Sequence, residues 1–215
     1  MNDVNTDDTL TRREREKLRH RKEIMDAATR VFARKGFFNA TLDEVAQEAE
    51  FSKGTLYLHF SSKEDILYEL LREKSDEILG LLKETFAGTG SFREEVENLF
   101  RIVAKMAFEH RDFFSIVMAH HANHYKVFSK ERSDEFNARH NRIFSFADDR
   151  ILKARRKGEI RDIPPEAIRG MLHGALDNMV MTRWCCETIE CLYDKIDCFT
   201  DILFNGIAQA KEASR

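Results

Sequence analysis

Apolar residues recur along this chain at the spacing of an α-helix. Ile24, Ala27, Ala28, Val31 and Phe32 form one face of a helix from about Leu18 to Lys35, and Gly36 ends it. Thr41, with Glu44 three residues on, spells a capping box. The helix it opens has only a short apolar face, Leu42, Val45, Ala46 and Ala49, and must pack on its neighbours to exist. Glu50-Phe51-Ser52 then makes a turn, and Ser52 is placed to cap a helix from Lys53 to His59. Leu56 and Phe60 point inward from it, which leaves Lys53, Thr55, Tyr57 and His59 outside. Ser61 followed by Glu64 is placed to cap a fourth helix, whose stripe Leu67, Leu70, Leu71, Ile78, Leu81 and Leu82 runs to about Phe86.

Gly88-Thr89-Gly90 is a natural break, and the pattern beyond it stays helical. Phe92, Val96, Leu99, Phe100, Val103 and Ala107 predict a helix from Ser91 to about His110. A shorter one spans about Asp112 to Ala122, with Phe113, Phe114, Val117 and Met118. A long one follows from about Lys130 to Lys157 and ends at Gly158. Pro164 and Pro165 open the next in the first turn, where proline is tolerated, and it runs to about Trp184. A last helix spans roughly Glu190 to Ala210.

Composition narrows the class. At 215 residues with 42% hydrophobic content, the chain can bury a sizeable core, and two prolines and nine glycines suit long helices. No run of 18 apolar residues is present, so no membrane span is expected. The acidic, polar start MNDVNTDDTL is unlike a secretory signal, and the cytoplasm is the expected location. The net charge of −3 does not mark a nucleic-acid binder by itself. Residues 12 to 35, however, carry ten Lys/Arg against four acids, and basic segments are drawn to phosphate backbones. Cys185, Cys186, Cys191 and Cys198 crowd the last part of the chain without CxxC spacing. Packing is the ordinary reading of such thiols in a reducing compartment, a thiol or metal switch the rarer one.

A short helix, a tight turn and a second short helix with polar groups outward is the layout of a helix-turn-helix, here over about 41–60, whose second helix enters the DNA major groove. Lys53 and Thr55 can reach base edges or phosphates. Tyr57, His59 and Lys63 have the chemistry of phosphate contacts, and Lys63 lies in a helix first turn whose free N–H groups favour anions. Thr41 adds a contact through its cap position, beside Ser52. Gly54 has no side chain, so the backbone can approach DNA closely.

Thr41, Val45, Ala46, Ala49, the run Phe51-Ser52-Lys53-Gly54-Thr55-Leu56-Tyr57, His59-Phe60 and Lys63-Glu64 resemble the N-terminal signature of the TetR/AcrR family of bacterial transcriptional repressors, over about residues 20–70. One position departs: that family usually has glycine where this chain has Glu50, and a left-handed conformation there costs a non-glycine residue roughly 1–2 kcal/mol. The resemblance implies an all-α fold of about nine helices. A three-helix DNA-binding domain would occupy 18–64, and a helical ligand-binding and dimerisation domain 65–215. It also implies a four-helix bundle across a two-fold axis. The faces that would build it include Met171, Leu172, Ala175, Leu176 and Met179 on one helix and Leu192, Ile196, Phe199 and Leu203 on the last. Taken singly, either face serves equally as intrachain core. A dimer also suits DNA reading, because one small helix covers too few base pairs for specificity.

Other chemistries have thinner support. His120 and His124 lie one turn apart, with His121, His140 and His173 elsewhere, but no carboxylate or cysteine sits at matching spacing, so no metal and no cofactor is expected. No nucleophile elbow, phosphate loop or paired carboxylates point to an enzyme. Phe100, Met106, Phe113, Phe114, Met118 and Phe144 offer an apolar or aromatic lining for an effector such as a fatty acyl compound or a drug-like amphiphile, although any helical core uses the same residues. The reading is a homodimeric, cytoplasmic regulator that binds a palindromic double-stranded operator as a repressor and is released by a small hydrophobic effector. The alternative is a helical dimeric module for a ligand or protein partner that no longer binds DNA.

Overall fold

The computed structural model of the chain describes residues 11–86, 90–122, 127–182 and 186–206, and of residues 117–122, 140, 143, 144 and 182 only the backbone. Nine helices run through the described residues: α1 (Arg12–Lys35), α2 (Leu42–Glu48), α3 (Lys53–Tyr57), α4 (Lys63–Thr85), α5 (Phe92–Glu109), α6 (Arg111–Ala122), α7 (Lys130–Arg156), α8 (Pro165–Thr182) and α9 (Ile189–Asn205). The all-α expectation holds.

Capping chemistry sets most of the boundaries. At α2 the Thr41 hydroxyl accepts the Glu44 N–H, and the Glu44 carboxylate accepts the Thr41 N–H at 3.1 Å, the reciprocal box read from the sequence. Ser91 and Glu94 do the same for α5. Three boundaries differ from expectation. α1 starts six residues earlier than Leu18, because Thr11 and Glu14 form a further capping box ahead of the apolar stripe. The cap of α4 is Ser62 with Asp65, whose N–H reaches the Ser62 hydroxyl at 3.1 Å, rather than Ser61 with Glu64. Both frames are written in Ser61-Ser62-Lys63-Glu64-Asp65, and the backbone selects the second, with Asp65 accepting the Ser61 N–H. α9 closes at Asn205, where Gly206 adopts φ 79° and its N–H reaches the Ile202 carbonyl at 2.8 Å. Trp184 and the stretch from Ile207 lie outside the described residues.

The described residues fall into two compact units, one running to Lys74 and including Asp112–Asp134, the other Ser75–Arg111 with Glu135 onward. The division falls inside α4, ten residues beyond the 64/65 boundary expected from sequence. In the first unit α1 packs on α2 and α2 on α3. Ile24, Ala27, Val31, Val45 and Leu56 are fully buried. Full burial of a side chain such as Leu56 stabilises by about 1.5–3 kcal/mol, and it is what holds a helix as short as α3 in place.

In the second unit α5 packs against both α8 and α9. One cluster joins Leu82, Phe86, Val96, Phe100, Ile151, Leu172, Ala175, Met179, Leu192 and Ile196. This corrects the expected dimer faces. Leu172, Ala175, Met179, Leu192 and Ile196 are intrachain core, because α5 covers the stripes that a partner helix was expected to cover. Leu176, Phe199 and Leu203 are half-buried against the same cluster, and Met171 alone of the set is openly exposed, at 56%.

Candidate nucleic-acid interface

The turn between α2 and α3 is a Schellman motif: the Phe51 N–H returns to the Ala46 carbonyl at 2.9 Å and the Glu50 N–H to the Gln47 carbonyl at 3.1 Å. The motif needs a left-handed residue at Glu50, whose φ is 59°, the only positive value at a non-glycine among the described residues. The chain therefore adopts the turn geometry for which glycine is suited and carries the strain of a side chain there.

On α3 the Ser52 hydroxyl accepts the Thr55 N–H at 3.1 Å and pairs with the Thr55 hydroxyl at 2.8 Å. Thr55 is thus half-buried and occupied locally, while Ser52, Lys53, Gly54 and Tyr57 are exposed. Lys53 forms a surface ion pair with Asp43 of α2, a partner not foreseen from sequence. A Cβ on Gly54 would meet only the Ser52 hydroxyl, at 3.8 Å, so this point of the helix is open to a large neighbour. The helix ends at Tyr57 rather than His59, and Leu58 in the following turn is 80% exposed. Leu58 carries no polar group that would mark it as a contact in the sequence.

Two of the expected phosphate contacts lie in surroundings the sequence did not indicate. The Lys63 ammonium donates to the carbonyls of Phe37, Phe38 and Ala40 at 3.0, 2.9 and 3.0 Å, and lies 4.9 Å from the Phe37 ring centroid. An ammonium has three protons, and all three are engaged. In the free protein Lys63 is a clamp on the α1–α2 turn. His59 is half-buried, its Nδ1 is buried without a hydrogen-bond partner, and its ring meets His20 edge-on at 5.9 Å. Burial, followed by the charges of His20, Lys17 and Arg21, holds its pKa below the usual histidine value. The lowered pKa favours the neutral imidazole, which keeps one N–H to donate.

The basic surplus of α1 is partly neutralised within the fold. Arg30 and Arg34 both reach Glu48, at 2.8 and 3.1 Å, Lys35 pairs with Glu44, and Arg21 reaches Glu69 at 3.1 Å. These partners hold the Glu48 and Glu44 carboxyls below their usual pKa. Arg12, Arg13, Lys17 and Lys22 are exposed and form no ion pair with a described residue. The unpaired charge therefore lies on the exposed N-terminal half of α1. Thr11-x-x-Glu14 was the signal that this half is helical.

The remaining expectations are distributed as follows. Phe100 is fully buried in the cluster of the second unit, and Met106 is buried. In the first unit Phe113 and Phe114 are buried and meet edge-on at 5.5 Å. The side chains of Met118, Phe144, His120, His121 and His140 lie outside the described residues, as do His124 and Cys185 entirely. His173 pairs with Asp177 at 3.3 Å. Among the described residues no group of His, Cys, Asp or Glu is arranged to hold a metal ion, and no helix is long and apolar enough to cross a membrane. One cleft in the second unit, of about 370 Å³, is lined by Thr85, Gly90, Glu94, Glu95, Glu97 and Asn98, a polar set unlike the apolar lining expected for an effector.

Comparison with known proteins agrees with this geometry. The family model of bacterial regulatory proteins of the tetR family matches residues 24–70, which span the second half of α1 through the first turns of α4. A fatty acid metabolism regulator protein of Bacillus subtilis is 26% identical over 74% of this chain and 81% of its own length. The HTH-type transcriptional regulator YfiR of the same organism is 30% identical over 67% of this chain and 70% of its own. The crystal structure of the Bacillus subtilis regulator FadR in complex with stearoyl-CoA superposes with a TM-score of 0.72 at 21% identity, covering 87% of this chain and 99% of that one. That last likeness is one of fold. With its helix-turn-helix in place over α2 and α3, the chain belongs to the TetR family of bacterial transcriptional regulators.

Proposed function

We propose that this protein is a homodimeric repressor that binds a palindromic operator in the cytoplasm and releases it when a small hydrophobic effector binds the helices beyond the DNA-reading segment. The observation that carries the reading is α3 itself. Leu56 anchors its inner side with no exposure, while Lys53, Gly54 and Tyr57 stand clear on the outer side. Lys53 leaves Asp43 at small cost when it meets DNA, because exposed ion pairs are worth about 0–1 kcal/mol. Lys53 and Ser52 at the start of α3 are the candidates for base and phosphate contact, Tyr57 and Thr41 for the backbone, and Thr55 acts through Ser52. Arg12, Arg13, Lys17 and Lys22 add charge that draws DNA without reading it.

Dimerisation is assigned to the outward side of α8 and α9. Met171, Met181 and Ile202 are exposed there, at 56%, 51% and 42%, and Gly170 and Gly174 have open space where a Cβ would stand. For the effector, the names of the relatives favour acyl thioesters of coenzyme A as the first class to test, in line with the apolar lining expected from sequence.

A mobility-shift titration on the DNA flanking the protein's own gene tests the reading. Binding is expected as a dimer, with affinity falling steeply as salt rises because each neutralised phosphate releases counterions. Long-chain acyl-CoA is expected to dissociate the complex. Absence of binding to any flanking DNA at low salt, with a stable dimer in solution, overturns the repressor and favours the module that has lost operator binding.

A further inference from the structure

Two sulfurs meet where the α8–α9 connector enters α9. The Cys191 thiol donates to the Cys186 sulfur across 3.0 Å. Cys186 is buried, at 3% exposure, in the cluster that also holds Leu192 and Ile196. Cys191 lies in the first turn of α9, partly open to solvent, with its backbone N–H capped by the Thr188 hydroxyl at 3.3 Å. Both are free thiols. Packing accounts for Cys186, which fills core volume. It does not account for a second, partly exposed sulfur held against the first.

We propose that Cys186 and Cys191 form a reversible redox modification site, at which a two-electron oxidant of the peroxide class converts the thiol pair into an intrachain disulfide that ties the connector to the first turn of α9. The sulfurs need to close by about 1 Å to reach a bond of about 2.05 Å. Cys186 precedes the helix, so the rigid spacing within α9 does not oppose that movement. The open thiol reacts first. The Cys191 thiolate attacks one peroxide oxygen, the O–O bond breaks, hydroxide leaves, and the sulfur becomes a sulfenic acid. Cys186, giving up its proton, attacks the Cys191 sulfur. The S–S bond forms, the S–O bond breaks, and the departing hydroxide takes the proton as water. Overall two thiols and one peroxide give a disulfide and two waters. A small dithiol restores the pair, as suits a transient disulfide in a reducing compartment.

The hydrogen bond to Cys186 holds the Cys191 thiol above its usual pKa. Partial burial and Asp194 act the same way, and Lys195 opposes them. The first step is therefore expected to quicken as pH rises and more thiolate forms.

The test uses the full chain treated with hydrogen peroxide and read by intact mass and thiol titration. The expected result is a loss of about 2 Da and of two of the four thiols, reversed by dithiothreitol. The loss is expected to persist in the double variant Cys185→Ser/Cys198→Ser and to vanish in Cys191→Ser, whose mass rises by oxygen addition at other thiols instead. Cys191 is partly exposed, so that variant is expected to fold, with circular dichroism as the check. Cys186→Ala gives an independent arm. A mass that only rises in the wild type, a cross-link that survives in Cys191→Ser, or one lost from the Cys185→Ser/Cys198→Ser variant overturns the proposal.

Discussion

The two compact units treat their internal polar groups differently. In the first, Lys63 has a carbonyl for each of its three protons, and Glu48 receives two arginines. In the second, Arg150 and Glu95 form an ion pair at 4% and 3% exposure, with Glu159 beside it at 3.4 Å. Yet Oε1 of Glu95, Nη1 of Arg150, Oγ1 of Thr85 and Oδ1 of Asp148 are buried without a hydrogen-bond partner. The bonds around Lys63 hold one geometry for the α1–α2 turn, although His59 Nδ1 in the same unit is buried without a partner. Unmet buried polar atoms leave free energy that a rearrangement or a partner would recover. Among the described residues, the ion-paired core of the second unit carries more of this unmet polarity than the first unit does.

The contrast breaks most visibly at the buried pair. Arg150→Met is expected to cost about 3–5 kcal/mol in urea unfolding, because it strands the Glu95 carboxylate in the core. Glu95→Leu combined with Arg150→Met should restore most of that loss. Equal costs for the single and double variants would mean that no buried charge penalty exists.

Lys63→Met comes next, at about 2 kcal/mol, since hydrogen bonds to a charged donor are worth about 1.5–3 kcal/mol and this cluster is only partly buried. Lys63→Arg should rescue little, because a planar guanidinium cannot direct three N–H groups at carbonyls that surround one nitrogen. DNA affinity should fall alike on all sequences as the α1–α2 turn shifts. Unchanged stability with a salt slope reduced by about one would return Lys63 to the phosphate contacts.

Glu50 allows a gain in the first unit. With φ at 59°, Glu50→Gly relieves strain of roughly 1–2 kcal/mol. Glycine's freedom in the unfolded chain offsets about 0.4–1 kcal/mol, so a net rise of up to about 1.5 kcal/mol is expected. Glu50→Ala keeps the strained backbone and should show no such rise. Removing a carboxylate beside α3 should also tighten non-specific DNA binding modestly.

The smallest effect is at His59. Its pKa in the folded protein lies below the ordinary 6.5, chiefly through burial, so the unfolded chain takes up the proton first. Stability is therefore expected to fall as pH drops below about 6.5 and to level off below the folded value. The melting temperature followed from pH 7 to pH 5 should decline less in His59→Gln, which cannot titrate. An identical decline in both would assign the dependence to other groups.

What the sequence by itself determined is local. Capping boxes, the apolar spacing and the glycines at Gly36 and Gly158 ended or began helices within a few residues of where they lie, because the bonds involved span three to six positions. The helix-turn-helix was legible for the same reason, while the left-handed backbone at Glu50 was settled by the structure. Only the tertiary structure decided which neighbour each group meets. Lys63 finds its carbonyls 23 to 26 residues away, across a turn whose path no periodicity encodes. An apolar stripe states that a face will be covered without stating by what, so α5 rather than a partner subunit took Leu172, Ala175, Met179, Leu192 and Ile196. The Cys186–Cys191 contact spans only five positions, but no CxxC spacing marks it, and it is the packing of Cys186 into the core that brings the two sulfurs together.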